Sequence, residues 1–271
     1  MNERILHTGW KPHTDETRGR IFKANRAASS IFDDVEPAPS SDLTAQNCLL
    51  DQLTIGSCTA QADAQGLFNA QVRAGVPADQ AILASRLFAY YAGRAKAGEE
   101  AIDAGSQVST VLDACATLGV PAEKFWPYDV TRFATMPGTE VFRQANSAKM
   151  TLGVDYVEFG DVSDPVTLIR KALTAGYTVQ FGSQVTADYV DAPPENVIRE
   201  RGLSSLGGHA QSACGHRDDE EFLIVSGSWG DYRDPNLTCA NPAGCTRWGY
   251  DYVDRHFRDL CCVLKAPLIN P

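Results

Sequence analysis

The sequence predicts an α+β protein in two lobes, helical first and β-rich second, on three observations. Apolar residues recur at helical spacing between Cys58 and Leu118, and strand-like runs gather after Tyr177. The composition, 44% hydrophobic and 21% charged with 22 Gly and 14 Pro in 271 residues, is that of an ordinary globular chain. It excludes a disordered chain, a collagen-like repeat and a coiled coil. The length suits one large domain or two small ones sharing a cleft, with a sizeable core in either case.

Residues 1–45 are polar and irregular, through TGWKPHTDETRGRIFKA and the loop EPAPSSD, and read as an arm or leader laid over the domain that occupies 46–271. Within that domain the helical lobe spans about 46–150 and the β-rich lobe about 151–271. Ser57 is placed to N-cap a helix from Cys58 to Arg73, with Ala60, Ala64, Leu67, Phe68 and Val72 on one side and Gly75 past its end. A second helix is expected over Asp79 to Tyr91. A third follows Gly105, where Val108, Val111, Leu112, Cys115 and Leu118 keep the i, i+3, i+4, i+7 spacing until Gly119 stops it. A short helix from Thr139 to Lys149 leads to the strand-like GVDYVEFG, and Pro165 opens the helix DPVTLIRKALTAG. The runs YTVQFGSQV, HAQSACGH and EFLIVSGSW then alternate as strands.

Charge narrows the partners. Lys plus Arg number 24 against 34 Asp plus Glu, a net charge of −10 with no long basic run, so nucleic acid and anionic lipid surfaces are poor partners. The first residues hold no apolar core of signal-peptide length. No stretch approaches the roughly 18 apolar residues that span a bilayer. A protein without membrane insertion, made in the cytoplasm, is expected. Eight cysteines without a secretory signal point to mostly reduced thiols.

Cys48, Cys115 and Cys214 fit core positions, and Cys261 and Cys262 are adjacent near the chain end. Cys239 and Cys245 leave a disulfide and two free thiols equally open, and a metal site there lacks two further ligands. No cofactor or metal is expected. The acidic Glu99, Glu100 and Asp218 to Glu221 read as solvated turns without EF-hand spacing, Gly207 and Gly208 lack a phosphate-loop pattern, and Tyr90, Tyr91, Phe125, Trp126 and Tyr128 read as packing.

One thiol stands apart. Cys58 falls in the first turn of its helix, where free N–H groups and the macrodipole favour the thiolate, the nucleophilic form. Position alone is weak, because a lone helical cysteine is more often a small buried apolar side chain. Thiolate catalysis also needs a base and an oxyanion stabiliser. His7, His13, His216 and His256 sit in polar, arm-like or loop-like sequence, whereas His209 opens a strand after Gly207 and Gly208, whose missing side chains leave space before the imidazole. Gln52 lies six residues before Cys58, close enough in DQLTIGSC for its amide N–H and the Cys58 backbone N–H to converge on one oxyanion.

The segments DQLTIGSC (51–58), GGHA (207–210) and IVSGSWG (224–230) resemble, in order, the signature blocks of papain-like cysteine peptidases, the C1 family. SRLFAYY (85–91), FWPYD (125–129) and the leader GWKPHTDETRGRIF resemble its bacterial and viral branch, so the likeness runs from about Gly9 to Leu260. The resemblance implies a papain-like two-lobe fold with the active-site cleft between a helical and a β-rich lobe. It implies Cys58 as nucleophile, His209 as base and then acid, Gln52 as side-chain oxyanion donor, and a peptide or protein substrate.

Two departures stand out. The family's Asn before SWG, whose amide orients the histidine ring, is Gly227 here, leaving Ser226, Ser228 or a water as substitutes. Thr59 replaces the common aromatic after the nucleophile. Residues 231–247 resemble an insertion. Two further readings keep the fold: a catalytically weakened structural or binding protein assembled into a larger particle such as a virion, and a cell-wall peptide hydrolase of a phage or bacterium.

Overall fold

The computed structural model describes residues 7–14, 30–152, 154–159, 162–193, 195–232 and 234–266. Residues 1–6 and 15–29 of the expected leader lie outside them. The helical half begins with α1 (Cys58–Arg73), whose side chains are buried from Cys58 through Gln71. Ser57 holds the N-cap position without capping: its hydroxyl pairs with the Tyr128 hydroxyl at 2.5 Å. Helix α2 spans Arg86–Ala95 and α3 spans Val108–Leu118, which ends at Gly119 with φ 78°, a conformation glycine adopts without strain. Helix α4 runs over Thr139–Leu152.

The second helix starts later than its periodicity suggests. Ser85 Oγ accepts from the Phe88 N–H at 3.2 Å and fixes the helix start, while Ala84 is held extended by a bridge to Ala122. Tertiary pairing thus removes residues 79–84 from the helix.

The β-rich half is one antiparallel sheet of seven strands, ordered β2 (Asp155–Glu158), β7 (Phe257–Lys265), β3 (Val179–Thr186), β4 (Ser205–Arg217), β5 (Phe222–Ser226) and β6 (Cys245–Gly249), with β1 (Ser40–Asp42) also paired to β4. Helices α5 (Pro165–Thr174), α6 (Ala187–Val190) and α7 (Tyr250–His256) complete it. Asp164 Oδ1 caps α5 by accepting from the Thr167 N–H at 2.9 Å. Strands β1, β6 and β7 and helices α6 and α7 were not expected from the sequence, and β1 lies within the segment read as an irregular arm. The run FRDLCCVLK is buried from Leu260 to Val263 and shows no alternation, and α7 passes into β7 without a turn residue.

Three apolar clusters occur among the described residues, the smallest of Cys214, Phe222, Ile224, Leu237 and Cys245. Of the two larger, one gathers Ile55, Leu67, Leu87, Phe88, Val111, Leu112 and Trp126 among α1 to α4, and the other gathers Ile169, Leu173, Phe181, Val225, Trp248, Tyr252 and Phe257 between the sheet, α5 and α7. Helix α1 packs on β4 and β7, which sets its N-terminus against the strand that carries His209. No helix among the described residues is long and apolar enough to cross a membrane.

Candidate active site

Cys58 is fixed by the loop before it. Leu53 adopts φ 50°, an uncommon conformation for a non-glycine residue, and its N–H is taken by Asp51 Oδ1 at 2.8 Å. The Gly56 N–H donates to both oxygens of Asp103, at 3.0 and 3.1 Å, and the Tyr90 hydroxyl donates to the same carboxylate. The Gln61 N–H then returns to the Ser57 carbonyl at 3.1 Å and the helix begins with Cys58.

Gln52 reaches the same place by strand pairing across the lobes. Asp51 bridges Trp229, with Gln52 N–H on the Ser228 carbonyl at 2.9 Å and Gly230 N–H on the Leu50 carbonyl at 3.1 Å. Ser228 Oγ donates to Gln52 Oε1 at 2.8 Å, which turns the amide so that Nε2 donates to the carbonyls of His7 at 2.9 Å and Ile55 at 3.0 Å. Tyr128 OH completes the support by donating to the Gln52 carbonyl at 2.9 Å.

His209 lies on β4 opposite Ser183 of β3 and is fully buried. Its ring stacks on Trp229 with centroids 4.3 Å apart and planes 20° apart, and Trp229 stacks in turn on Tyr189 at 5.0 Å. Neither ring nitrogen has a hydrogen-bond partner among the described residues. The adjacent Ala210 N–H lies against the Cys58 sulfur, together with the N–H groups of Thr59, Cys58 and Gly9. Strand β4 thus meets the Cys58 sulfur through the Ala210 N–H beside His209, without a hydrogen bond from the His209 ring to that sulfur, and Gln52 enters from the pairing of Leu50 to Gln52 with Ser228 to Gly230.

The space expected in front of His209 is filled by the chain's own leader. Gly9 and Trp10 both donate to the Gly208 carbonyl, at 3.0 and 3.1 Å, while Gly9 accepts from the Ser106 N–H at 2.8 Å and Lys11 donates to the Ser106 carbonyl at 2.9 Å. Residues 9–11 thus form a strap between the two lobes. The fit depends on missing side chains: a Cβ on Gly9 would come within 1.9 Å of the Gly56 carbonyl oxygen, and one on Gly208 within 2.6 Å of Trp10. Trp10 itself is only 8% exposed.

The strap ends on a buried ionic anchor. His13 Nδ1 lies 2.8 Å from Glu158 Oε1 and 3.0 Å from Asp259 Oδ1, its N–H donates to Asp259 Oδ2 at 3.0 Å, and Nε2 meets Ser109 Oγ at 2.7 Å. Burial alone would lower the His13 pKa, but the hydrogen bonds to Asp259 and Glu158 prevail and hold it up at about 9. His13 is thus not an exposed arm residue. His216 and His256 are also buried, His216 with Nδ1 3.1 Å from Asp218 Oδ1 and His256 against Glu200.

Covering the cleft changes its electrostatics. Burial pushes the Cys58 thiol up to about 12 against the pull of the four N–H groups, and burial pulls His209 down to about 3. With the strap in place the pair is a neutral thiol and a neutral imidazole. A cavity of about 550 Å³ is lined by Lys11, Thr14, Arg94, Ser106, Gln107 and Glu158, and none of Cys58, His209 and Gln52 reaches it.

All eight cysteines are free thiols, and no cluster of metal-ligating side chains occurs among the described residues. Trp10, His13, Asp103 and Tyr128 are the contributors that local pattern does not reveal. The signal for two of them was the leader motif GWKPH, whose spacing places Trp10 and His13 three residues apart.

No protein-family model matches the chain. A curated relative, a peptidase C1-like protein of Acanthamoeba polyphaga mimivirus, is 29% identical over 187 residues, 67% of this chain and 60% of the relative, so the chain spans less than two thirds of that relative's length. Among solved structures, xylellain, a cysteine protease from Xylella fastidiosa, is similar with a TM-score of 0.75 over 98% of each chain at 22% identity. A cysteine protease of Carica candamarcensis is similar with a TM-score of 0.58 at 16% identity, over 84% of this chain and 99% of that one. Digestive procathepsin L 3 of Tenebrio molitor is similar with a TM-score of 0.61 at 12% identity, over 94% and 83%. The chain has the papain-like fold.

Proposed function

We propose that the chain is a cysteine peptidase hydrolysing peptide bonds through a Cys58 thioester, held latent by residues 7–13 of its own leader. When the strap leaves, water and substrate re-enter, the desolvation that keeps Cys58 and His209 neutral falls, and the helix N-terminus and imidazolium favour the thiolate. The thiolate attacks the scissile carbonyl carbon. Gln52 Nε2–H and the Cys58 N–H take the oxyanion charge. His209 protonates the leaving amine as the C–N bond breaks, giving the thioester, and then takes a proton from the water that cleaves it.

The observation that carries this reading is the Gln52 side-chain amide donating to the carbonyl of His7, two residues before the Gly9 whose N–H lies against the Cys58 sulfur. That is the contact required of an oxyanion donor toward a substrate. On this reading residues 1–45 are the leader, 46–271 the peptidase domain, and the substrate is a peptide or protein. Incubating the full chain with a mixed peptide library tests it by mass spectrometry of the products. New termini that vanish in Cys58→Ala and His209→Ala are expected. No cleavage of any peptide, with Cys58 refractory to a thiol-directed epoxide even in Trp10→Ala, would overturn the reading.

A further inference from the structure

We propose that Gln211 is the positioning residue of His209, its side-chain amide taking the role that Gly227 leaves vacant. This rests on the peptidase reading above, in which His209 becomes an imidazolium during turnover.

The placement follows from strand geometry. His209 and Gln211 are two residues apart on β4, so both side chains emerge on the same face of the sheet. Gly227 lies just past β5 and, with Gln211, lines a small cavity there. A Cβ added at Gly227 would lie 3.1 Å from Gln211 Nε2, so the Gln211 amide stands at the mouth of the space that an Asn side chain at 227 would enter. Ser228, which the sequence offered as a substitute, is committed elsewhere, donating its hydroxyl to Gln52.

The unsatisfied atoms are complementary. Gln211 is buried and its Oε1 has no partner among the described residues, as is the case for both ring nitrogens of His209. A buried amide oxygen without a donor and a buried imidazole without an acceptor on one strand face are each costly alone and satisfy each other when joined. The rest of the amide is tied to the aromatic stack that holds the ring: Gln211 Nε2 donates to Tyr189 OH at 3.4 Å, and Tyr189 lies flat on Trp229, which lies flat on His209. With the leader in place His209 is neutral and the contact is not made. Once the imidazole accepts a proton it has two N–H groups, one toward Cys58 and one that needs an acceptor, and Gln211 Oε1 is that acceptor.

The test uses the full chain with Gln211→Met, which keeps length and loses the amide, Gln211→Glu, which keeps an acceptor, and Gly227→Asn in the wild-type and Gln211→Met backgrounds. Two readouts are taken in the Trp10→Ala background, in which the strap is undocked: kcat and the pH profile of peptide hydrolysis, and the His209 ring tautomer from 15N-histidine NMR. The tautomer is read at a pH where the ring is neutral and its one N–H can be accepted by Gln211 Oε1. Gln211→Met is expected to lower kcat about 10- to 100-fold with KM little changed, by analogy with outer-shell partners at metal sites. Its alkaline limb should move to lower pH, because an imidazolium without its acceptor loses a proton more easily. The ring should pass from one tautomer to a mixture. Gln211→Glu should hold the alkaline limb at or above its wild-type position. Gly227→Asn should restore rate and tautomer in Gln211→Met but not improve the wild type, where its Cβ crowds Gln211. Unchanged kcat, limb and tautomer in a folded Gln211→Met chain would overturn the inference. If the Trp10→Ala chain cleaves nothing, the peptidase reading falls, and the tautomer in that background alone decides: a shift on adding Gln211→Met sustains the positioning role and no shift overturns it. Gln211→Leu replaces Gln211→Met if the latter does not fold.

Discussion

Gln52 Nε2 donates to the carbonyl oxygen of His7 at 2.9 Å, so the group suited to an oxyanion is already occupied by a peptide carbonyl of the same chain. This contact joins residues 45 positions apart and makes the leader part of the site. Under the proposed function latency and catalysis compete for one donor, and each can be perturbed separately.

Trp10→Ala should open the cleft. The indole is 8% exposed and packs where Gly182 and Gly208 lack side chains, so truncation removes most of the apolar burial that holds the strap. Epoxide labelling of Cys58 near neutral pH is expected to rise at least about tenfold, equivalent to about 1.4 kcal/mol of docking. Mass spectrometry of labelled peptides measures it. An unchanged rate would place the barrier to Cys58 elsewhere.

The strap should loosen as pH rises. Docked His13, facing Glu158, Asp259 and Ser109, holds its proton to about 9 against 6.5 for a free imidazole. Its contribution is therefore complete below pH 6.5 and is lost as pH rises through 9, about 3 kcal/mol in all. Hydrogen-exchange protection factors of the Gly9, Trp10 and Lys11 amides should fall about 100-fold between pH 6 and pH 9.5. In His13→Gln they should be low and flat. A protection that rises with pH would contradict the assignment of His13 as the cation.

Gln52 and Ser228 should separate donor from support. Gln52→Ala removes an oxyanion donor and is expected to lower kcat about 100- to 1000-fold with little change in KM. Ser228→Ala leaves the amide in place but frees it to turn, since Ser228 Oγ is what engages Oε1 at 2.8 Å, and about a tenfold loss is expected. Steady-state kinetics on one cleaved peptide checks both. A Ser228→Ala loss equal to that of Gln52→Ala would mean that the hydroxyl is itself the donor.

Asp63 should be a liability to stability. It is buried on α1, neither carboxyl oxygen has a partner among the described residues, and burial holds its pKa well above 3.8. The folded state keeps a proton that the unfolded state releases, so stability is full below pH 3.8 and falls as pH rises toward the folded pKa. Asp63→Leu should be more stable than wild type at pH 7 by about 1–3 kcal/mol and lack that decline. Urea midpoints at pH 5 and pH 7.5 test it. Equal midpoints at both would show that the carboxyl is compensated.

The sequence by itself determined the elements whose signals are local. The helix beginning at Cys58 follows from apolar spacing and a following glycine, and the strand carrying His209 follows from alternation after two glycines. The helix starts and ends where its pattern puts it because neighbouring residues supply the relevant free energy, whereas β4 begins at Ser205 and includes both glycines because pairing with β3 extends it past the local signal. The roles proposed for Gln52, Cys58 and His209 rest on residue chemistry together with the order implied by the resemblance. Only the tertiary structure decided what faces them. Gly208 marks an absent side chain, yet nothing near it says that Trp10 takes the space, and His13 reads as an exposed arm residue until Glu158 and Asp259 close on it. The start of α2 at Arg86 and the buried β7 were set by pairing with distant strands and loops. The protonation states were set the same way. Whether Cys58 is a thiolate depends on how much water reaches it, and that depends on a segment placed some fifty residues earlier in the chain, because desolvation is a property of the packed whole.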